Sequence, residues 1–256
     1  MSSSRRVQQH PAFLLHQRPF RDTSLLLDIF SRDHGRFALV ARGARSQKSR
    51  LKPLLRSFMP LQLSWLLRSD LGTLTGAELH GPPLTLSGDA LMSAYYVNEL
   101  ILHLLHRHDP QPEVFAAYGQ TIRSLAAADD PAPALRVFEI ELLKLLGYAA
   151  SFGHEAVTHD AVDPDANYEY RPEQGPVKVS REPGAMVFSG AMLLAIGEHR
   201  FTEADVLRSA GRLLKNVIAH HLDGKELKSR KVLVDLHRSR AKITGVDQAS
   251  RDGSNL

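Results

Sequence analysis

SLLLDIFSRDHGRFALVARGARSQKSRLK, residues 24–52, is the stretch from which the fold can be worked outward. Leu25, Leu27 and Ile29 alternate with less apolar neighbours up to Phe30. Ser31-Arg32-Asp33-His34-Gly35 then interrupts, and Phe37, Leu39 and Ala41 alternate again. Two period-2 runs joined by a short turn containing glycine predict a β-hairpin with one buried face. Its second arm leads directly into a segment dense in arginine and lysine. From Arg36 to Lys52 there are six basic residues and no acidic one.

Further short β signals lie on either side. Ala12 to Gln17 is an apolar run, Leu61, Leu63 and Trp65 alternate, and Leu71 to Gly76 continues toward Leu79. About five strands in some eighty residues match a small barrel such as an OB-fold, and an SH3-like barrel fits the count nearly as well. Gly81-Pro82-Pro83 marks the expected boundary. Beyond it the periodicity turns helical: Asp89 to His106 is apolar around most of its girth, and Glu113 to Ala128 is a second helix. Asp129-Asp130-Pro131 supplies caps for a third, in which Leu135, Phe138, Leu142 and Leu145 recur and which ends at Gly147. Ser151 to Gly184 is polar, with Tyr168-Glu169-Tyr170 and Val177-Lys178-Val179 as hairpin arms. Helices resume near Gly190 and from Thr202 to Leu222, where Thr202 and Asp205 suggest a loose cap. Ser229 to Leu236 is a last short one.

The expected class is therefore α+β: a five-stranded barrel, OB-fold or SH3-like, over 1–81, a helical domain over 82–243 with a polar insertion at 151–184, and a frayed tail at 244–256. The 256 residues are 43% apolar, enough for these cores. No apolar run reaches the length of a membrane span, MSSSRRVQQHP has no secretion-signal core, and there is no cysteine. A cytoplasmic protein without disulfides or thiolate metal sites is the expectation. The net charge is only +4, but it is polarised. Lys225 to Lys242 holds seven basic and two acidic residues, while acidic ones gather between Glu155 and Glu182.

The basic run after the hairpin suits phosphate binding: its cations release condensed counterions, and Ser46 and Ser49 can donate to phosphate oxygens. A solvated surface loop is the competing reading. Gly43 to Ser49 lacks the second glycine of a P-loop and opens no helix, so nucleotide hydrolysis is not expected. Of the aromatics in the β-region, Phe13, Phe30, Phe37, Phe58 and Trp65 read as core. Phe20, between Arg18 and Arg21, is the least obviously buried and could stack on a base. His103, His106 and His108 read as a wet helix end. His154, His159 and Asp160 could hold a metal only with a thin ligand set. No nucleophile constellation is found, so no enzyme and no cofactor are expected.

Five segments, in order from about residue 12 to about 236, resemble the bacterial RecO family. They are Arg18-Pro19-Phe20-Arg21-Asp22-Thr23-Ser24-Leu25; Leu39-Val40-Ala41-Arg42-Gly43-Ala44-Arg45; Tyr96-Val97-Asn98-Glu99-Leu100; Leu135-Arg136-Val137-Phe138-Glu139 with Leu145-Leu146-Gly147-Tyr148; and Gly224-Lys225-Glu226-Leu227-Lys228-Ser229-Arg230. The resemblance implies an N-terminal OB-fold and a helical C-terminal domain. It implies binding of single- and double-stranded DNA, annealing of complementary strands, and work with RecR in loading RecA. It also implies contact with the acidic C-terminal tail of the single-strand-binding protein, SSB. Some members carry a four-cysteine zinc site in the insertion, which a chain without cysteine is expected to have lost.

On this reading the DNA-binding candidates are Arg36, Arg42, Arg45, Lys48, Arg50 and Lys52, together with Lys225, Lys228, Arg230 and Lys231. Matching positions make Arg136 the candidate for gripping the tail's terminal carboxylate, although it could equally be a surface arginine near Glu139 or Glu141. The alternatives are a metal-dependent nuclease using the middle histidines and aspartates, or an adaptor that binds only protein.

Overall fold

The computed structural model describes residues 5–67, 71–148, 151–222, 224–229 and 231–232. Five strands, β1 (Arg5–Phe20), β2 (Ser24–Ser31), β3 (Gly35–Ala41), β4 (Leu61–Leu67) and β5 (Leu71–Leu79), close into a barrel in the order β1-β2-β3-β5-β4. Every neighbouring pair is antiparallel except β3 and β5. These run parallel, with Ala38 opposite Leu71 and Val40 opposite Thr73. That parallel step closes a five-stranded OB-type barrel, the class expected from the alternation.

The barrel buries both of its faces, each against a different partner. On β1, Ala12 and Leu14 point inward to join Leu27, Ile29, Phe37, Leu39, Leu63 and Trp65. Phe13 and Leu15, with Phe30 of β2, point outward into the core of the helical region. Strand β1 is longer than its apolar run because its polar start is held by the ladder. Arg5 pairs with Leu67 and Val7 with Trp65, with an irregularity before His10 where Gln9 N donates to Ser64 Oγ at 3.0 Å.

Helices α1 (Gly88–Leu104), α2 (Pro112–Ala127) and α3 (Ala132–Leu145) follow, and α4 (Gly190–Gly197) and α5 (Ala204–His221) complete the bundle. As the third helix's opening suggested, Asp130 Oδ1 accepts a hydrogen bond from Ala132 N at 2.9 Å. Thr202 does not cap α5: Glu203 occupies the N-cap position and makes no side-chain cap bond.

Helix α1 lies alongside the barrel. Near its middle, buried Asn98 donates to Leu15 O at 2.7 Å and accepts from the Tyr118 hydroxyl at 2.6 Å, so one amide joins β1, α1 and α2. Beyond its C-terminal end, the loop to α2 meets the β2–β3 turn. His108 N donates to Arg36 O at 2.9 Å there. Gly35 has φ 64°, and a Cβ on it would lie 2.2 Å from Asp109 O, so only glycine fits.

The insertion forms a three-stranded sheet of β6 (Asn167–Arg171), β7 (Gly175–Val179) and β8 (Val187–Ser189), in the order β7-β6-β8. The two predicted hairpin arms are β6 and β7. Three-residue β8 was not expected, being too short to show a period. The Glu155 carboxylate organises the preceding loop, accepting from Val157 N at 3.1 Å, Thr158 N at 2.5 Å and Lys178 N at 3.3 Å.

Candidate nucleic-acid interface

The β1–β2 turn, the end of β3 and the β3–β4 connection (42–60) share one end of the barrel. The connection is pegged down by apolar residues. Ala44 is 0% exposed and Leu55 is 2% exposed, both within the barrel core. Between and beside the pegs, Arg42, Arg45, Lys48, Arg50 and Lys52 are all exposed. None of the five is ion-paired among the described residues. Arg45 is also tied in place. Its backbone N donates to Thr23 O at 2.9 Å, and its Nη1 donates to Arg21 O at 3.3 Å and Asp22 O at 3.1 Å. The Ser46 hydroxyl accepts from Lys48 N at 3.4 Å. These bonds hold a cationic loop against the β1–β2 turn instead of leaving it to wave in solvent.

A groove of about 550 Å³ opens beside this loop, lined by Phe20, Arg21, Thr23, Ser24, Val40, Arg42, Gly43, Leu71, Gly72 and Thr73. Phe20 is half-buried, and the Arg21 guanidinium lies 5.3 Å from its ring centroid. Arg18 and Arg21 are exposed at the same end, as is Arg56 later in the connection. These three add to the cationic edge and were not among the candidates. The arginines flanking Phe20 were visible in the sequence, but nothing there placed Arg56.

Arg36 does not join this group. It stands at the opposite end of the barrel, half-buried, with Nη2 donating to Leu105 O at 3.1 Å. Burial, reinforced by nearby Arg107, lowers its pKa from the ordinary guanidinium value. Its role in the structure is to join the β2–β3 turn to the end of α1.

In the second basic segment, Lys225, Lys228 and Lys231 are exposed, and Arg230 lies outside the described residues. Glu99 of α1 anchors that segment. Its carboxylate accepts from Lys228 N and Ser229 N, each at 2.9 Å, and from the Ser229 hydroxyl at 2.5 Å. A carboxylate on the first amides of a helical turn is a favourable cap.

Arg136 lies on α3 with its side chain 14% exposed. Its Nη1 is 3.0 Å from Glu139 Oε2, and the Glu139 side chain is 2% exposed. The Tyr96 hydroxyl donates to Glu139 Oε1 at 2.5 Å. A Cβ on Gly211 of α5 would be 3.2 Å from Arg136 Nη1, so the guanidinium lies close over that glycine. Val137 beside it is 36% exposed, an apolar neighbour for an incoming chain. Among the described residues, no three His, Asp or Glu side chains converge as a metal-binding group, and no helix is long and apolar enough to cross a membrane.

Residues 5–83 match the family description "Recombination protein O N terminal", and residues 86–231 match "Recombination protein O C terminal". Curated relatives named "DNA repair protein RecO" agree along nearly the whole chain. That of Azoarcus sp. (strain BH72) is 40% identical over 240 residues, covering 92% of this chain and 99% of the relative. That of Aromatoleum aromaticum is 42% identical over 237 residues, with the same two coverages. That of Methylococcus capsulatus is 41% identical over 227 residues, covering 89% and 93%.

Proposed function

This chain belongs to the RecO family of DNA repair proteins, and we propose that it works by electrostatics, holding single- and double-stranded DNA at the cationic end of its barrel so that complementary strands can anneal. The observation that carries this reading is the set of five exposed cations, Arg42, Arg45, Lys48, Arg50 and Lys52, held on one edge without acidic partners among the described residues. Cations so placed neutralise phosphates on both strands and reduce their mutual repulsion, with no covalent step and no nucleotide. Phe20 with Arg21 offers a ring beside that track for an unstacked base. Lys225, Lys228 and Lys231, exposed as well, are further phosphate contacts on this reading, and Arg36 is left out of it.

Arg136, beside exposed Val137, is our candidate for the terminal carboxylate of the SSB tail, with RecR as the further partner and RecA loading as the outcome. A guanidinium can hold Glu139 through one nitrogen and a second carboxylate through others.

The test is the salt dependence of binding to a single-stranded oligonucleotide, measured by fluorescence anisotropy. Five phosphate contacts predict a slope of log K against log[salt] of about −3.5. Substituting Arg42, Arg45 and Lys48 together by alanine should shallow it by about 2. An unchanged slope would move the DNA site elsewhere.

A further inference from the structure

Tyr95 is 45% exposed, a large ring left facing solvent on the first half of α1. It is held from one side: its centroid is 5.0 Å from that of Phe58 in an edge-to-face contact, and Phe58 itself is only 5% exposed. The pair walls a cleft of about 480 Å³ at the seam between barrel and helices, shared with Gln17, Arg56, Leu86 and Leu91. Arg56 is exposed on its rim.

The cleft adjoins the basic connection. Phe58 and Arg56 belong to the connection that carries Arg42 to Lys52. On the other side, Glu99 is one helical turn beyond Tyr95 on the same face of α1, since residues four apart stack above one another. Glu99 is the carboxylate that fixes the backbone of residues 228 and 229. The start of the second basic segment is therefore anchored one helical turn along α1 from an exposed, buttressed aromatic that Arg56 flanks.

We propose that this cleft takes one unstacked base of a single strand on Tyr95, with Arg56 on its adjoining phosphate, as the strand leaves the barrel loop. The proposal rests on the DNA-binding reading above. Base–aromatic stacking is tolerant of sequence and needs a presented ring beside backbone cations, which is what the seam supplies. An intact duplex keeps its bases stacked, so the site discriminates single strands from double.

The experiment uses the full chain and a fluorescein-labelled oligothymidylate, compared with a duplex of equal length. Tyr95→Ala should weaken single-strand binding by roughly 5- to 100-fold. It should leave duplex affinity and the salt slope unchanged, because no charge is removed. Tyr95→Phe should restore binding. In a second arm, an oligonucleotide carrying 5-iodouracil should photo-cross-link to Tyr95, located by peptide mass spectrometry. Equal loss on single strand and duplex, or a change of less than about twofold with no cross-link at residue 95, would overturn the site. So would a Tyr95 requirement for an acidic peptide but not for the oligonucleotide. If Tyr95→Ala is silent while the Arg42/Arg45/Lys48 variant shallows the slope, only the cleft fails. If neither variant changes binding, the barrel reading fails as well.

Discussion

Arg136→Ala removes the cation facing Glu139, whose carboxylate is 2% exposed on its side chain. Deleting one partner of a buried charge pair costs about 3–5 kcal/mol, and the retained Tyr96 hydrogen bond places this case near about 3 kcal/mol. The cause is a buried carboxylate deprived of its facing cation, and not the loss of the arginine's own contacts. Removing the charge as well, in Arg136→Ala/Glu139→Gln, should therefore recover about 2 kcal/mol, because a neutral amide still accepts from Tyr96 at a far smaller desolvation cost. Urea unfolding reads both values as midpoint shifts at constant slope. A double variant no more stable than Arg136→Ala alone would refute the reasoning. The result also decides how tail binding is to be tested. Arg136→Ala by itself confounds a damaged helical core with a lost carboxylate grip, whereas the double variant, binding-deficient yet folded, would isolate the grip.

Tyr118→Phe should destabilise by about 1–3 kcal/mol, since Asn98 Oδ1 loses its buried donor; thermal unfolding checks it, and a neutral result would mean water enters the seam. Gly35→Ala places an L side chain at φ 64° and its Cβ within 2.2 Å of Asp109 O, so the loop after α1 must shift. The backbone alone costs about 1–2 kcal/mol, and amide exchange around His108 should rise with it. Backbone N–H groups, Thr158 first, hold the Glu155 carboxyl below the usual carboxylate range. Its stabilisation is present above the unfolded-state pKa and is lost as pH falls through the lower folded value. The insertion should thus loosen in acid, and Glu155→Gln should flatten that dependence when NMR signals of β6 and β7 are followed from pH 7 to pH 3.

The barrel was legible because its hairpin carries a period of two within a single window. Leu27, Ile29, Phe37 and Leu39 all lie in the core where the alternation put them. The exposed cations were legible as a local run. What the sequence hid depends on distant partners. Arg36 reads as one more cation of that run, yet its guanidinium donates to the carbonyl of Leu105, some seventy residues away. Arg136 could face Glu139 or solvent at the same spacing, and only the close approach of α5 buries it. Tyr95 carries no local mark at all, because its exposure follows from how α1 lies on the barrel. The early start of β1 is not legible because a hydrogen-bond ladder, unlike a hydrophobic face, places no demand on side-chain type.

Phe13, Leu15 and Phe30 make the outside of the barrel part of the helices' interior. Cut away from those helices, the first eighty-odd residues would present a sticky aromatic face to water and tend to self-associate. Exchanging this barrel between relatives should therefore succeed only when the α1 and α2 residues packed against it travel with it. Tension or heat should melt the two halves in one step.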